Sequence, residues 1–337
     1  MSKNLPLHRA KTREEDEFYT QRPYIEDELS HYKDHFKGKT VYCNCDDPTS
    51  SEFWKFFVRV FRDWGLKKLM ATHYEPDTKN YAYKLEICED TNGDGKIDCQ
   101  DEPTITQIPC NGDFRSQICI DLLKEADIVV TNPPFSVWRE YVGQLIQYGK
   151  KFVIIGSQNA ITYKEIFPLL KDNQMWLGYY AGDMKFKVPP YYAPRKTRYW
   201  VDDSGQKWRS MGNVCWYTNL DIPKRHKPLD LRGTYYKPSL YPKFDNYDVI
   251  NVGRIVDIPC DYEGVMAVPI TFMCHYNPDQ FEILEGSNRY GILDTWGKNA
   301  AIRSARSHGN NIDGKATYFR IHIRNKHPEP RRYSDEN

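Results

Sequence analysis

No apolar run among the 337 residues approaches the roughly 20 that a membrane-spanning helix needs, so a membrane role is not expected. Net charge is lacking too. The 47 Lys and Arg stand against 46 Asp and Glu, leaving +1, and the chain as a whole does not advertise a polyanionic partner. Charge therefore has to be read locally. The nine cysteines show no paired CxxC spacing and no His companions suited to zinc. An odd number of them without a secretory leader reads as reduced thiols in a cytoplasmic protein. The length suffices for one large domain or two modest ones with a substantial core. Aromatic residues are abundant, at 14%.

Asn132-Pro133-Pro134-Phe135 directly follows the apolar run Ile128-Val129-Val130-Thr131. The prolines fix φ and keep the residue before them out of helix, so the carbonyls of Asn132 and Pro133 are presented rather than consumed by a ladder. An exocyclic NH2 group can donate to those carbonyls and to the Asn132 amide, while Phe135 offers a face on which a flat base stacks. The plainer reading is a proline-stiffened turn from strand to helix. With its amide and aromatic flanks, the stretch resembles the Asn-Pro-Pro-aromatic motif of amino-group methyltransferases, which use S-adenosylmethionine.

Around this motif the chain alternates. Thr40 to Cys45 is β-prone and ends in Asp46-Asp47-Pro48, after which Ser50-Ser51-Glu52 caps a helix with Phe53, Phe56, Phe57, Val60, Phe61 and Trp64 on one face. Lys68 to Thr72 reads as a strand and Ile118 to Lys124 as a helix. The strand into Asn132, a helix over Val137, Tyr141, Leu145 and Ile146, and the strand Phe152 to Gly156 complete the series. Such alternation predicts an α/β, doubly wound Rossmann-like sheet with helices on both faces. Ligands then bind at the carboxyl ends of the strands, where Asp46, Asp47 and Asn132 fall. Residues 1–16 are charged and polar and are expected to form an arm. The catalytic domain is expected over 17–180.

Beyond residue 180 the pattern turns to short strands, turns and aromatics, read as a β-rich region over 181–337. Basic side chains are interleaved with the rings, as suits phosphate contact combined with base contact. Candidate nucleic-acid contacts are Lys196, Arg198, Arg209, Trp216, Lys224 and Arg225. For any single residue ordinary surface charge is the alternative, and the regional excess is what argues for a nucleic-acid partner.

With these pieces in order, the chain resembles the EcoRI-type adenine-specific DNA methyltransferases along most of its length. The likeness rests on Phe18-Tyr19-Thr20, on Asn44-Cys45-Asp46-Asp47-Pro48, on Asp113-Phe114, on Asn132 to Phe135 and on the strand Phe152 to Gly156. It implies that Phe18, Tyr19 and Thr20 meet the methionine end of S-adenosylmethionine, that Asn44 to Pro48 form its first binding motif, and that Asp113 and Phe114 lie against its adenine. It also implies that Asn132, Pro133, Pro134 and Phe135 are catalytic and that the region after 180 recognises double-stranded DNA. One departure stands out: Thr49-Ser50-Ser51 occupies the place where many methyltransferases carry glycines, which leaves open whether Asp46 or Asp47 faces the ligand.

An insertion over 86–103 carries a separate signal. Asp90, Asn92, Asp94, Lys96, Asp98 and Asp101 occupy positions 1, 3, 5, 7, 9 and 12 of a stretch that resembles an EF-hand calcium loop, with Gly95 at position 6. Lys96 would serve through its carbonyl, and Glu102 can replace the last ligand. The flanks read as strands, so an acidic hairpin tip is the competing reading.

The sequence is thus expected to encode a site-specific adenine-N6 methyltransferase that flips its target base out of duplex DNA, in a restriction-modification or phage-protection setting. A cognate endonuclease acting on the same site is an expected partner, and a monomer is expected because one flipped base needs one pocket. The alternatives are methylation of an RNA base or a protein glutamine amide, and a non-catalytic, calcium-stabilised DNA-binding protein.

Overall fold

The computed structural model describes residues 18–45, 47–75, 82–95, 97, 100–236, 238–245, 248–288, 291–293 and 311–330. The expected arm over 1–16, together with Asp46, Lys96 and Asp98, lies outside them. The chain divides into two compact units, one of residues 1–157 and 177–220, the other of 158–176 and 221–337.

The first unit is built on one large sheet. Its strands are β1 (Tyr19–Thr20), β2 (Thr40–Cys43), β3 (Lys68–Thr72), β4 (Tyr83–Ile87), β5 (Thr104–Gln107), β6 (Ile128–Thr131), β7 (Lys151–Ser157), β8 (Trp176–Lys187), β9 (Tyr199–Val201) and β10 (Lys207–Thr218). They lie in the order β1-β8-β10-β7-β6-β2-β3-β4-β5, with β9 paired to β10. The central strands β7, β6, β2 and β3 run parallel. Every residue of β2 and β6 is buried, as expected for parallel strands covered on both faces. The chain runs outward from β2 through β3, β4 and β5 and then returns to β2's other side as β6, so β2 and β6 flank the point where the winding reverses.

Local chemistry sets the helices. Helix α1 (Arg22–Leu29) has proline in its first turn. Ser51 caps α2 (Glu52–Val60) by accepting from the Phe53 and Trp54 amides at 3.2 and 3.4 Å, and Phe53, Phe56 and Phe57 are buried as their spacing predicts. Ser116 caps α3 (Gln117–Glu125), and α4 (Trp138–Gln147) follows the Pro-Pro turn.

One expectation changes here. Residues 181–220 are not short pieces of a second domain, because β8 and β10 are 12-residue strands inside the catalytic sheet. Five consecutive residues of β10, Val214 to Thr218, pair antiparallel with β7. The unit that carries the Asn-Pro-Pro-Phe turn therefore runs to Leu220.

The second unit holds β11 (Val249–Asn251), β12 (Val265–Val268), β13 (Phe281–Asn288), β14 (Gly291–Leu293), β15 (Asn311–Ile312), β16 (Lys315–Ala316) and β17 (Arg320–Asn325), with the short helix α5 (Phe167–Lys171). Its main sheet has the order β11-β12-β17-β13-β14. Phe281, Ile321 and Ile323 in its strands, and Phe272 in the turn after β12, are fully buried.

Candidate active site

The ends of β2 and β6 meet at the switch point. Thr131, the last residue of β6, donates its hydroxyl to the main-chain oxygen of Asn44, the first residue after β2. The Tyr141 hydroxyl on α4 donates to the Asn44 side-chain oxygen. Immediately beyond, Cys45 has φ 74°, a left-handed conformation that most side chains avoid. The sharp turn made elsewhere by glycine is thus made here by cysteine.

Asn132 follows Thr131 and is only 7% exposed. Its Nδ2 donates to the main-chain oxygen of Phe18 at 2.8 Å. Its Oδ1 is buried and, among the described residues, accepts from no protein donor. Leaving such an acceptor unpaired costs about 1–3 kcal/mol unless a ligand supplies the donor. The carbonyls of Pro134 and Phe135 accept from the Val137 and Trp138 amides as the chain turns into α4. Trp138 Nε1 donates to the Ile155 carbonyl at 2.7 Å and lies so close to Gly156 that a Cβ there would come within 2.7 Å of the indole, which fixes the start of α4 on β7.

Phe18 links this turn to the edge of the sheet. Its ring lies 5.6 Å from Phe135 and 5.6 Å from Phe186, and 6.0 Å from Tyr192. Strand β1 pairs with β8 through Tyr19 opposite Lys187 and Thr20 opposite Phe186. Thr20 is 3% exposed, and its hydroxyl is a second buried polar atom without a protein partner among the described residues.

The acidic residues of the binding motifs are held differently. Asp47 Oδ1 accepts from the Thr49 amide at 2.9 Å, the Thr49 hydroxyl at 2.8 Å and the Tyr83 hydroxyl at 2.8 Å. Burial alone would raise its pKa, but these donors prevail and hold it below the usual carboxylate range. Burial and the same contact push Tyr83 up to about 12. Asp47 is thus a turn-forming residue whose Oδ1 is already engaged, with Pro48 buried beside it. Asp113 grips Arg115 through both carboxylate oxygens, at 2.8 and 2.6 Å. Phe114 next to it meets the Tyr141 ring edge-on at 5.1 Å.

One cluster lay unread in the sequence. His73, just past β3, stacks on Tyr83 with centroids 4.7 Å apart, and its Nδ1 is buried without a partner among the described residues. Its carbonyl would lie 1.9 Å from a Cβ at Gly112, whose φ is +73°, so only glycine fits there. The rule that ligands bind at strand carboxyl ends, applied to β3 as it was to β2 and β6, points to this position.

The expected DNA contacts are divided between the two units. Trp216 is 0% exposed and packs edge-on against Phe53 at 6.0 Å, so it belongs to the core and does not meet DNA. The reason is its place on β10, an interior strand. Arg198 pairs with Asp183 at 3.0 Å, and Arg209 donates to the carbonyls of Thr197 and Arg198 at 2.5 and 3.2 Å. Lys196 is exposed. Lys224 and Arg225 belong to the second unit. The Arg225 guanidinium lies over the Trp176 ring at 3.9 Å and donates to Asn173 at 2.6 Å.

The insertion forms a hairpin tip between β4 and β5 rather than a loop between helices. Asp90 accepts from the Gly93 and Gly95 amides at 2.7 Å each, Asn92 from the Asp94 amide at 2.9 Å, and Asp101 from the Thr91 amide at 2.7 Å. Among the described residues no three His, Cys, Asp or Glu side chains converge as a metal site. Among them, too, no helix is long and apolar enough to cross a membrane.

A parallel-centred sheet that reverses its winding at an Asn-Pro-Pro-Phe turn defines a Rossmann-like methyltransferase, the class that draws its methyl group from S-adenosylmethionine. Within that class the chain belongs to the adenine-specific methyltransferase EcoRI family, whose model matches residues 6–326. It is similar to the type II methyltransferase M.EcoRI of Escherichia coli, 45% identical over 331 residues covering 96% of this chain and 97% of the relative. M.MpnI of Mycoplasma pneumoniae is 38% identical over 328 residues, 95% and 98% of the two chains. M.MgeORF184P of Mycoplasma genitalium is 36% identical over 324 residues, 94% and 98%. The chain is accordingly a DNA adenine methyltransferase of the restriction-modification kind.

Proposed function

We propose that the chain methylates N6 of one adenine within a specific double-stranded DNA sequence, after that base has rotated out of the helix, and that Asn132 is its principal catalytic residue. The observation that carries this reading is the buried Asn132 Oδ1, an acceptor with no protein donor among the described residues, beside an amide nitrogen already fixed on Phe18. An N6-H donating to Oδ1, with a second donated to the Pro133 carbonyl, draws the nitrogen toward sp3 geometry and aims its lone pair. Phe135 stacks on the flipped base and Pro134 stiffens the turn.

The residues fit the cofactor. Thr20 supplies a buried hydroxyl without a partner, and the left-handed Cys45 bends the chain away at the end of β2. Phe18, Tyr19, Thr20, Asn44, Cys45, Asp113 and Phe114 would hold S-adenosylmethionine, which supplies an electrophilic methyl on its sulfonium. Asp47 supports the turn from behind through Tyr83. Asp46, outside the described residues, stays beside Asp47 as the motif's other acidic candidate for the ligand. Lys196, Arg198, Arg209, Lys224 and Arg225 are the proposed DNA contacts, and Arg225 leaves the Trp176 ring when it reaches a phosphate.

Transfer of tritiated methyl to duplex DNA, RNA and protein offered side by side tests the substrate. Label in DNA adenine alone supports the reading. Label in RNA or glutamine moves the activity to that substrate, and label in none leaves a DNA-binding protein. We also propose a monomer acting in the cytoplasm alongside an endonuclease for the same site, and a structural calcium at the 90–101 turn on ligand spacing alone. Calorimetry of calcium into metal-stripped protein tests the last, and absence of binding heat removes it.

A further inference from the structure

Helix α4 touches both cofactor motifs while it starts three residues after Phe135. Tyr141 is fully buried on it, with its hydroxyl on Asn44 Oδ1 and its ring on Phe114. Three positions on and so on the same face, Gln144 Nε2 donates to the Phe114 carbonyl at 3.0 Å. Asn44 is itself 4% exposed and is clamped twice, by Thr131 at its main-chain oxygen and by Tyr141 at its side chain. An amide whose oxygen is held turns its NH2 to the opposite side. Among the described residues that NH2 donates to no protein acceptor, while the oxygen beside it is held by Tyr141.

We infer that Tyr141 is a positioning residue for the cofactor: by holding the Asn44 oxygen it aims the Asn44 NH2 at an acceptor atom of S-adenosylmethionine. Gln144 assists by fixing the Phe114 segment. The catalytic turn and the cofactor site are thereby tied to one rigid element, so a shift of α4 moves both. This inference rests on the cofactor site proposed above. Tyr141 serves as a neutral donor, because burial raises its pKa well above the ordinary tyrosine value.

The test is calorimetric binding of S-adenosylhomocysteine, which does not turn over, to the full chain and to Tyr141→Phe, Asn44→Asp, the double variant and Gln144→Met. Tyr141→Phe keeps the ring packing and should weaken binding about tenfold, the loss of one directed hydrogen bond. Asn44→Asp keeps an acceptor for Tyr141 but removes the NH2, and should weaken binding at least as much. The double variant should be no weaker than Asn44→Asp, since the two act through one amide. Gln144→Met should lose about threefold, the smaller share of the same effect. Unchanged affinity in Tyr141→Phe, or losses that simply add in the double variant, overturns the positioning role. A wild-type chain that binds no S-adenosylhomocysteine overturns the cofactor site and this inference together, whereas a wild type that binds and a Tyr141→Phe that matches it overturns the inference alone.

Discussion

Asn132 Nδ2 and the main-chain oxygen of Phe18 are joined at 2.8 Å across 114 positions of sequence. The bond fixes which way the catalytic amide faces. With its nitrogen held, its oxygen is the atom left for a ligand, and the Phe18 ring lies 5.6 Å from the Phe135 ring.

Phe135→Ala removes the stacking face while leaving the Asn132 amide in place. Base–aromatic stacking is worth about 1–3 kcal/mol, so the KM for duplex DNA should rise by about 5- to 150-fold. A duplex with a mismatch at the target adenine, which opens more easily, should recover part of the loss in steady-state assays.

Gly112→Ala places a Cβ 1.9 Å from the His73 carbonyl on a residue with φ +73°. Left-handed strain and overpacking together should cost about 2–5 kcal/mol in denaturant unfolding. Cys45→Gly does the reverse. It relieves a left-handed side chain and should leave stability within about 1 kcal/mol of wild type, with cofactor binding retained.

Glu28 is fully buried and accepts from the Tyr32 hydroxyl at 2.7 Å and from the Tyr179 and Tyr180 amides at 2.8 Å each, tying α1 to β8. Glu28→Ala leaves those donors buried and unpaired, and should cost about 3–5 kcal/mol by chemical denaturation. Because α1 follows directly on β1, the Phe18–Asn132 contact should loosen too, seen as faster amide exchange at Phe18 and Tyr19.

Lys68 bridges Glu86 and Glu125 at 2.8 Å each. Burial opposes its charge, but the two carboxylates prevail and raise its pKa to about 12, above the unfolded value of about 10.4. The bridge's contribution is therefore complete below about pH 10.4 and is lost as pH rises through about 12. Glu86, held below its ordinary value once the lysine contacts overcome burial, loses its share only as pH falls below the usual carboxylate range. Lys68→Met should flatten the alkaline limb of a stability–pH curve and leave the middle of the curve level.

The parts legible in the sequence are those fixed by neighbours along the chain. Ser51 announced the start of α2 and the prolines announced the turn at Asn132, because capping and φ restriction act over two or three residues. The Phe18–Asn132 bond was not legible as a contact, since nothing local pairs residues so distant. Trp216 misled for a related reason: an aromatic among basic residues looks like a binding face, whereas its strand lies inside the sheet and its ring in the core. The missing glycine after β2 was resolved only by geometry, because a cysteine in the left-handed region leaves no compositional mark.

The most direct test is methyl transfer by Asn132→Ala on duplex DNA carrying the recognised sequence, measured with tritiated S-adenosylmethionine beside a calorimetric check of cofactor binding. Loss of the buried acceptor should cut transfer by at least about 10²-fold while cofactor affinity stays within a few-fold of wild type. Near-normal turnover in that variant would contradict the account.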